Sequence, residues 1–134
     1  MPLWRFLDYI TQDGHNLIRE WHEGQDDDSI RARFDATLAI LGATEDWTAR
    51  GVEEFKVLTG AHIGLSEIRI NMDVNSRKRR FRPVGIWSQE ERYFIFLLGC
   101  EKSGRIYMPA NAFNLALDYK AQYERGIGGL CEHV

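Results

Sequence analysis

A chain of 134 residues, 44% hydrophobic and 28% charged, has the size and composition of one folded domain spanning residues 1–134, which excludes disordered, fibrous and multidomain architectures. No apolar run approaches the roughly 18–20 residues that cross a bilayer, and Cys100 and Cys131 alone make no disulfide framework. The net charge of −3 is uneven: residues 1–54 hold 5 Lys/Arg against 12 Asp/Glu, and residues 55–134 hold 12 against 8.

The first segment, Leu3 to Ile10, is aromatic-rich and alternates imperfectly, which predicts a strand ended by Gly14. Leu17, Ile18 and Trp21 lie at helical spacing and predict a short helix stopped by Gly24. The acidic stretch Asp26-Asp27-Asp28 precedes a second helix, from about Ser29 to Leu41, whose positive end it suits. Ile30, Phe34, Leu38 and Leu41 form its apolar stripe, and Gly42 closes it. Between residues 44 and 62 the reading is open, because Trp47, Val52, Phe55 and Leu58 fit one face of a short helix before a Gly60/Gly64 loop.

The period changes from 3.6 to 2 in the second half. Ile68, Ile70 and Met72 point one way while Glu67 and Arg69 point the other. A turn at 74–76 leads to a strand from Phe81 to Trp87, in which Pro83 requires a bulge or an unpaired position. Tyr93 to Gly99 is apolar on both faces, as a central strand covered by helices on one side would be. After Gly104 and Pro109 a last helix runs to about Arg125, burying Ala112, Leu115, Ala116, Tyr119 and Tyr123, and Gly126, Gly128 and Gly129 end it. The order predicts an α+β fold, with a twisted antiparallel sheet of about four strands packed against helices.

Residues 77–82 read Arg77-Lys78-Arg79-Arg80-Phe81-Arg82, five cations and one aromatic in an otherwise acidic chain. Cations packed this closely repel one another and are best tolerated opposite a polyanion, so nucleic-acid backbone is the expected partner. The plainer reading makes Arg77 to Arg80 a solvated hairpin turn. His15, His22, His62 and His133 are scattered without metal-binding spacing, and the expectation is no metal and no cofactor.

Three segments carry a resemblance. Gly64-Leu65-Ser66-Glu67-Ile68-Arg69 is similar to the G-L-x-E-[LI]-R signature of the RelE/ParE toxin superfamily, in particular its HigB-like, phage-derived branch. Arg80-Phe81-Arg82-Pro83-Val84-Gly85 resembles that superfamily's [YF]-R strand, and Leu97 to Pro109 resembles its strand-to-turn block ending in K-x-x-[RK]-x-x-P. The resemblance implies a RelE-like, microbial-ribonuclease-like topology and the toxin of a type II toxin–antitoxin pair, while the lack of a membrane-crossing run, a secretory signal and a disulfide framework separately predicts a cytoplasmic protein without a membrane partner. The resemblance further implies a metal-independent endoribonuclease that cuts mRNA on the ribosome, and a cognate antitoxin of helix-turn-helix type. Carried onto this chain, the expected catalytic residues are Arg82 as phosphate clamp, Lys102 as second cation or base, Arg105 at the leaving oxygen and Tyr107 as stacking group or proton relay. Arg69, Arg77, Lys78, Arg79 and Arg80 are the expected RNA-binding residues. For several of these a structural role is the alternative: Arg69 in an ion pair with Glu67 or Glu101, Tyr107 packed beside the last helix, Lys102 an ordinary turn lysine.

Active ribosome-dependent members are strongly basic, whereas this chain is acidic, and the tail Gly129-Leu130-Cys131-Glu132-His133 lies beyond the compact core of the superfamily. Both departures leave open a non-catalytic inhibitor of a macromolecular target, as ParE-type relatives act on DNA gyrase, or an inert phage-derived relative.

Overall fold

A computed structural model describes residues 3–134. Its elements in chain order are β1 (Arg5–Ile10), α1 (Leu17–Glu23), α2 (Asp28–Gly42), β2 (Phe55–Val57), a single 3-10 turn (Gly60–His62), β3 (Ser66–Ile68), β4 (Ile70–Val74), β5 (Arg77–Phe81), β6 (Val84–Ser88), β7 (Tyr93–Leu98), β8 (Glu101–Ser103), β9 (Ile106–Met108), α3 (Ala112–Glu124) and β10 (Gly129–Glu132). The α+β class holds. The sheet does not close as one antiparallel layer, however.

Two sheets form. One has six strands in the order β10-β1-β7-β6-β3-β2, and the other has four in the order β4-β5-β8-β9. The smaller sheet is antiparallel throughout, while β1 runs parallel to β7 and makes the larger one mixed. Three long strands produce this division by bending: at Arg69 between β3 and β4, at Arg82-Pro83 between β5 and β6, and at Gly99-Cys100 between β7 and β8. Pairing continues across the bend, with the Arg82 N–H donating to the Cys100 carbonyl at 2.7 Å and the Ile68 N–H to the Pro83 carbonyl at 2.9 Å. Pro83 has no N–H to give a ladder, and the register of β6 against β7 slips by a bulge immediately after it, at Val84/Gly85.

Helices cover both faces of β7, not one. Phe94 and Phe96 point into an aromatic cluster with Trp4, Phe34, Trp47 and Phe81, beneath α1 and α2. Ile95 and Leu97 point the other way, to Ala112, Phe113 and Ala116 of α3. That two-sided cover is why the strand lacks polar alternation. The stripe of α2 is buried as its spacing requires, and Asp27 caps the helix by accepting from the Ser29 N–H. No helix forms between 44 and 54. Asp46 Oδ1 accepts from both the N–H and hydroxyl of Thr48, and Gly51 takes φ +95°, so local hydrogen bonding and a left-handed residue defeat the helical spacing. Trp47 instead sinks into the core, its indole N–H donating to the Leu41 carbonyl at 2.8 Å. Phe55 begins an edge strand.

The tail is ordered as well. β10 pairs antiparallel with β1, and His133 Nδ1 lies 2.7 Å from Asp8 Oδ1 just past it. Among the described residues no helix is long and apolar enough to cross a membrane.

Candidate functional site

The smaller sheet positions most of the cations singled out by the sequence. A two-residue turn at Asn75-Ser76, both with positive φ (51° and 66°), joins β4 to β5 and fixes their register. Phe81 is fully buried against Trp21 of α1, which sets the parity of β5. Alternation then sends Arg79 and Arg77 to the α1/α2 side with Phe81, and Arg80 and Lys78 to the α3 side.

The two sets differ in what faces them. Arg79 binds Glu101 through two nitrogens, at 2.9 and 2.7 Å, and reaches Asp26 at 3.4 Å. The Glu101 hydrogen bonds raise its pKa above the ordinary arginine value, against the opposing effect of burial. Arg79 is thus neutralised within the fold. On the other side, Lys78 stands directly opposite Asp73. Arg80 stands opposite Asn71 on β4 and Lys102 on β8, and Lys102 stands opposite Tyr107 on β9. Directly opposed residues share a face, so Asn71, Arg80, Lys102 and Tyr107 form one row across all four strands. The Lys102 ammonium lies 5.4 Å from the centre of the Tyr107 ring, a cation–π distance. Among the described residues neither Arg80 nor Lys102 has a carboxylate partner. Beyond the Arg80–Lys102 pair, β5 and β8 no longer pair, and a cavity of about 650 Å3 opens there, lined by Lys78, Arg80 and Lys102 and also by Arg79 with its carboxylate partners Glu101 and Asp26.

Arg82 lies beneath this row and not in it. It is 4% exposed, donating to the Phe81 carbonyl at 2.8 Å and to Asn71 Oδ1 at 2.9 Å. Burial depresses its pKa, with Glu67 opposing and the neighbouring Arg69 and Arg80 adding to the depression. A guanidinium so enclosed cannot reach a phosphate outside, which corrects its expected role as clamp: Arg82 holds Asn71 and adds charge from below. Glu67 is 1% exposed, with Oε1 3.3 Å from Arg69 Nε, and no hydrogen-bond partner meets its Oε2 or Arg82 Nε. Arg69 therefore takes the ion pair with Glu67.

Tyr107 is half-buried, edge-on to Phe113 of α3 with ring centres 4.4 Å apart. Burial raises its pKa, helped by Glu67 and Cys100 and opposed by Arg82 and Arg69. Its hydroxyl is a proton donor at neutral pH, not a base. Arg105 sits at the exposed turn between β8 and β9, outside the row and facing His62 and Asn114. Arg77 is exposed near the start of the cavity, opposite Val74.

Among the described residues the arrangement sets two cations without carboxylate partners and a phenol side by side on a shallow face, donors of the kind that bind an anion. Glu67 and Asn71 escaped the sequence reading as site members, though the Glu67/Arg69 parity put both on the relevant side. Cys100 is no nucleophile: it is fully buried and its thiol is pushed up to about 12, chiefly by burial and then by Glu67. Among the described residues no group of three or more His, Cys, Asp or Glu side chains is placed to hold a metal ion. No family model, curated protein or solved structure matches the chain.

Proposed function

We propose that this protein is a RelE/HigB-like toxin of a type II toxin–antitoxin pair that cuts mRNA as a ribosome-dependent, metal-independent endoribonuclease in the cytoplasm. The observation that carries the reading is the row itself, with Arg80 and Lys102 opposed on neighbouring strands, Tyr107 next in line, and no carboxylate against the two cations. The strand, two helices, antiparallel meander and third helix support a RelE-like, microbial-ribonuclease-like topology.

In this reading Arg80 and Lys102 hold the non-bridging oxygens of the scissile phosphate. The ribose 2′-hydroxyl gives its proton to solvent as its oxygen attacks phosphorus, the P–O5′ bond breaks, and the 5′-oxygen takes a proton from Lys102 or Tyr107, which solvent then reprotonates. The products are a 2′,3′-cyclic phosphate and a 5′-hydroxyl. Arg82, from below, steadies Asn71 and strengthens the positive potential as charge builds on the phosphorane. An antitoxin of helix-turn-helix type would silence the site by laying an acidic segment along the row, an encounter that salt slows.

Production of the protein alone is expected to arrest growth, with new transcript 5′ ends at codon-linked positions. Arg80→Ala and Lys102→Ala are expected to relieve the arrest, since both side chains lie on the surface row and their loss leaves the core intact. Arrest with intact transcripts would overturn the nuclease and leave a non-catalytic inhibitor, a gyrase-directed one if DNA damage accompanies it. The raised pKa of Tyr107 favours that second reading because it leaves the row short of a proton acceptor, and the burial of Arg82 takes one phosphate donor away from the surface. Full toxicity in both variants would refute the row as the site.

A further inference from the structure

The row does not end at Tyr107. Past it, between the 3-10 turn and the start of α3, lies a separate cavity of about 330 Å3 lined by His62, Arg105, Tyr107, Phe113 and Asn114. Its wall is aromatic: His62 stacks on Phe113 with ring centres 4.4 Å apart and planes 21° from parallel, and Tyr107 meets the same ring at 79°. Its polar groups are unspent. Among the described residues no side-chain hydrogen bond or ion pair engages Arg105, Asn114 or the His62 ring. Two glycines with positive φ, Gly60 and Gly64, fold the loop that carries His62, and Gly104 does the same for the turn that presents Arg105.

Stacking surfaces beside free donors are what a splayed-out base of single-stranded RNA requires, its face against an aromatic ring and its edge on polar side chains. A guanidinium suits the O6 and N7 acceptors of guanine in particular. The cavity also lies in the right place. Tyr107 lines this cavity and stands opposite Lys102 on the neighbouring strand, about 4.8 Å away in the sheet, so the cavity adjoins the place where a phosphate on Arg80 and Lys102 would sit.

We infer that this cavity is a subsite for one purine base, guanine above adenine, of the single-stranded RNA whose phosphate occupies the Arg80–Lys102 row. The inference rests on the proposed RNA reading of that row and adds the identity of the neighbouring base. Arg105 thereby acts on the base edge and not on the leaving oxygen.

The test titrates the full chain with GMP, AMP, UMP and ribose 5-phosphate and follows backbone amide shifts. GMP is expected to move residues 62, 105, 113 and 114 as well as the row, AMP less and UMP least, while ribose 5-phosphate moves the row alone. His62→Ala and Arg105→Ala should each weaken GMP by about 10-fold, the scale of one base stack or edge contact, and leave ribose 5-phosphate unchanged. Arg105 lies on an exposed turn, so its variant keeps the measurement sound should His62→Ala disturb the loop. Equal binding of GMP and ribose 5-phosphate, no shift at millimolar GMP, or indifference of GMP to both variants overturns the subsite. The two readings fail separately. Shifts around His62 without any response of the row to ribose 5-phosphate would sink the phosphate site and keep the base pocket, whereas transcript cleavage whose base preference ignores both variants would do the reverse.

Discussion

Replacing Glu67 by Gln removes the one carboxylate that, among the described residues, acts on Arg82 from inside the fold, and the structure fixes the size of the effect. Glu67 is 1% exposed and Arg82 4%, whereas the Arg69 side chain that pairs with Glu67 is 33% exposed. Loss of one partner from a fully buried ion pair costs about 3–5 kcal/mol. Two features pull the figure down. Arg69 is open enough to regain water, which makes its share at most about 1 kcal/mol, and Glu67 Oε2 has no hydrogen-bond donor to lose. What remains is an enclosed Arg82 with Arg69 and Arg80 beside it and no countercharge, for which about 2 kcal/mol is the net expectation. In urea that loss moves the midpoint down by roughly 1 M at unchanged slope. Adding Arg82→Met to Glu67→Gln should restore part of it, a coupling of about 1–2 kcal/mol for groups in one network. A Glu67→Gln midpoint within about 0.5 kcal/mol of the parent, or strict additivity in the double variant, would refute Glu67 as the charge that makes burial of Arg82 tolerable.

Three further outcomes follow from burial. At pH 8 a thiol reagent should titrate one cysteine, the exposed Cys131, and a second only after unfolding, because Cys100 is enclosed and donates to the Arg82 carbonyl at 3.1 Å; two fast equivalents in the native protein would show the bend at Gly99-Cys100 to be open. Stability should decline with alkali. Burial raises Cys100 from 9.0 to about 12 and raises Tyr9, Tyr93 and Tyr107 as well, so above about pH 9 the unfolded chain sheds protons that the native chain keeps. Each such group lowers the unfolding free energy by about 1.4 kcal/mol per pH unit between its two pKa values. Full stability therefore persists below pH 9, and a flat urea midpoint from pH 8.5 to 11 would contradict the burial of these acids. Gly99→Ala should cost about 1–3 kcal/mol, because its Cβ would lie 2.2 Å from Trp21 Cδ2, while Gly129→Ala, with nothing within 4 Å, serves as the neutral control in the same urea series.

Elements with strong local periodicity were legible. The stripe of α2 was, and so were a turn at 74–76, which the structure narrows to Asn75-Ser76, an irregularity at Pro83, which takes the form of a bulge, and the end of α3 at its glycines. The division into two sheets was not. Pro83 and Gly99 mark two of the bends, but the third falls at Arg69, a residue with no conformational signature, and only the side-by-side alignment of all three turns them into a fold line. β10 was hidden because all its residues are exposed and it exists only through pairing with β1. At the site, type and region were readable and burial was not: nothing local to Arg82 shows that the Pro83 bend draws its guanidinium inward. The separation of Arg79 from Arg80 was open to sequence reasoning, since Phe81 is an apolar anchor whose parity separates Arg77 and Arg79 from Lys78 and Arg80.

Five cations that are consecutive or nearly so along the chain thus divide between the two faces of the sheet, and the tight Asn75-Ser76 turn decides which of them belong to which face. Adding or removing a single residue there would invert the strand. With one added, Arg79 would be delivered to Lys102 and Tyr107, and Arg80 would take the buried place of Phe81, opposite Glu101 and beside Trp21. Composition and net charge would be almost untouched, yet the Arg80–Lys102–Tyr107 row would be lost, so a one-codon change in a surface loop suffices to redraw that face of the sheet.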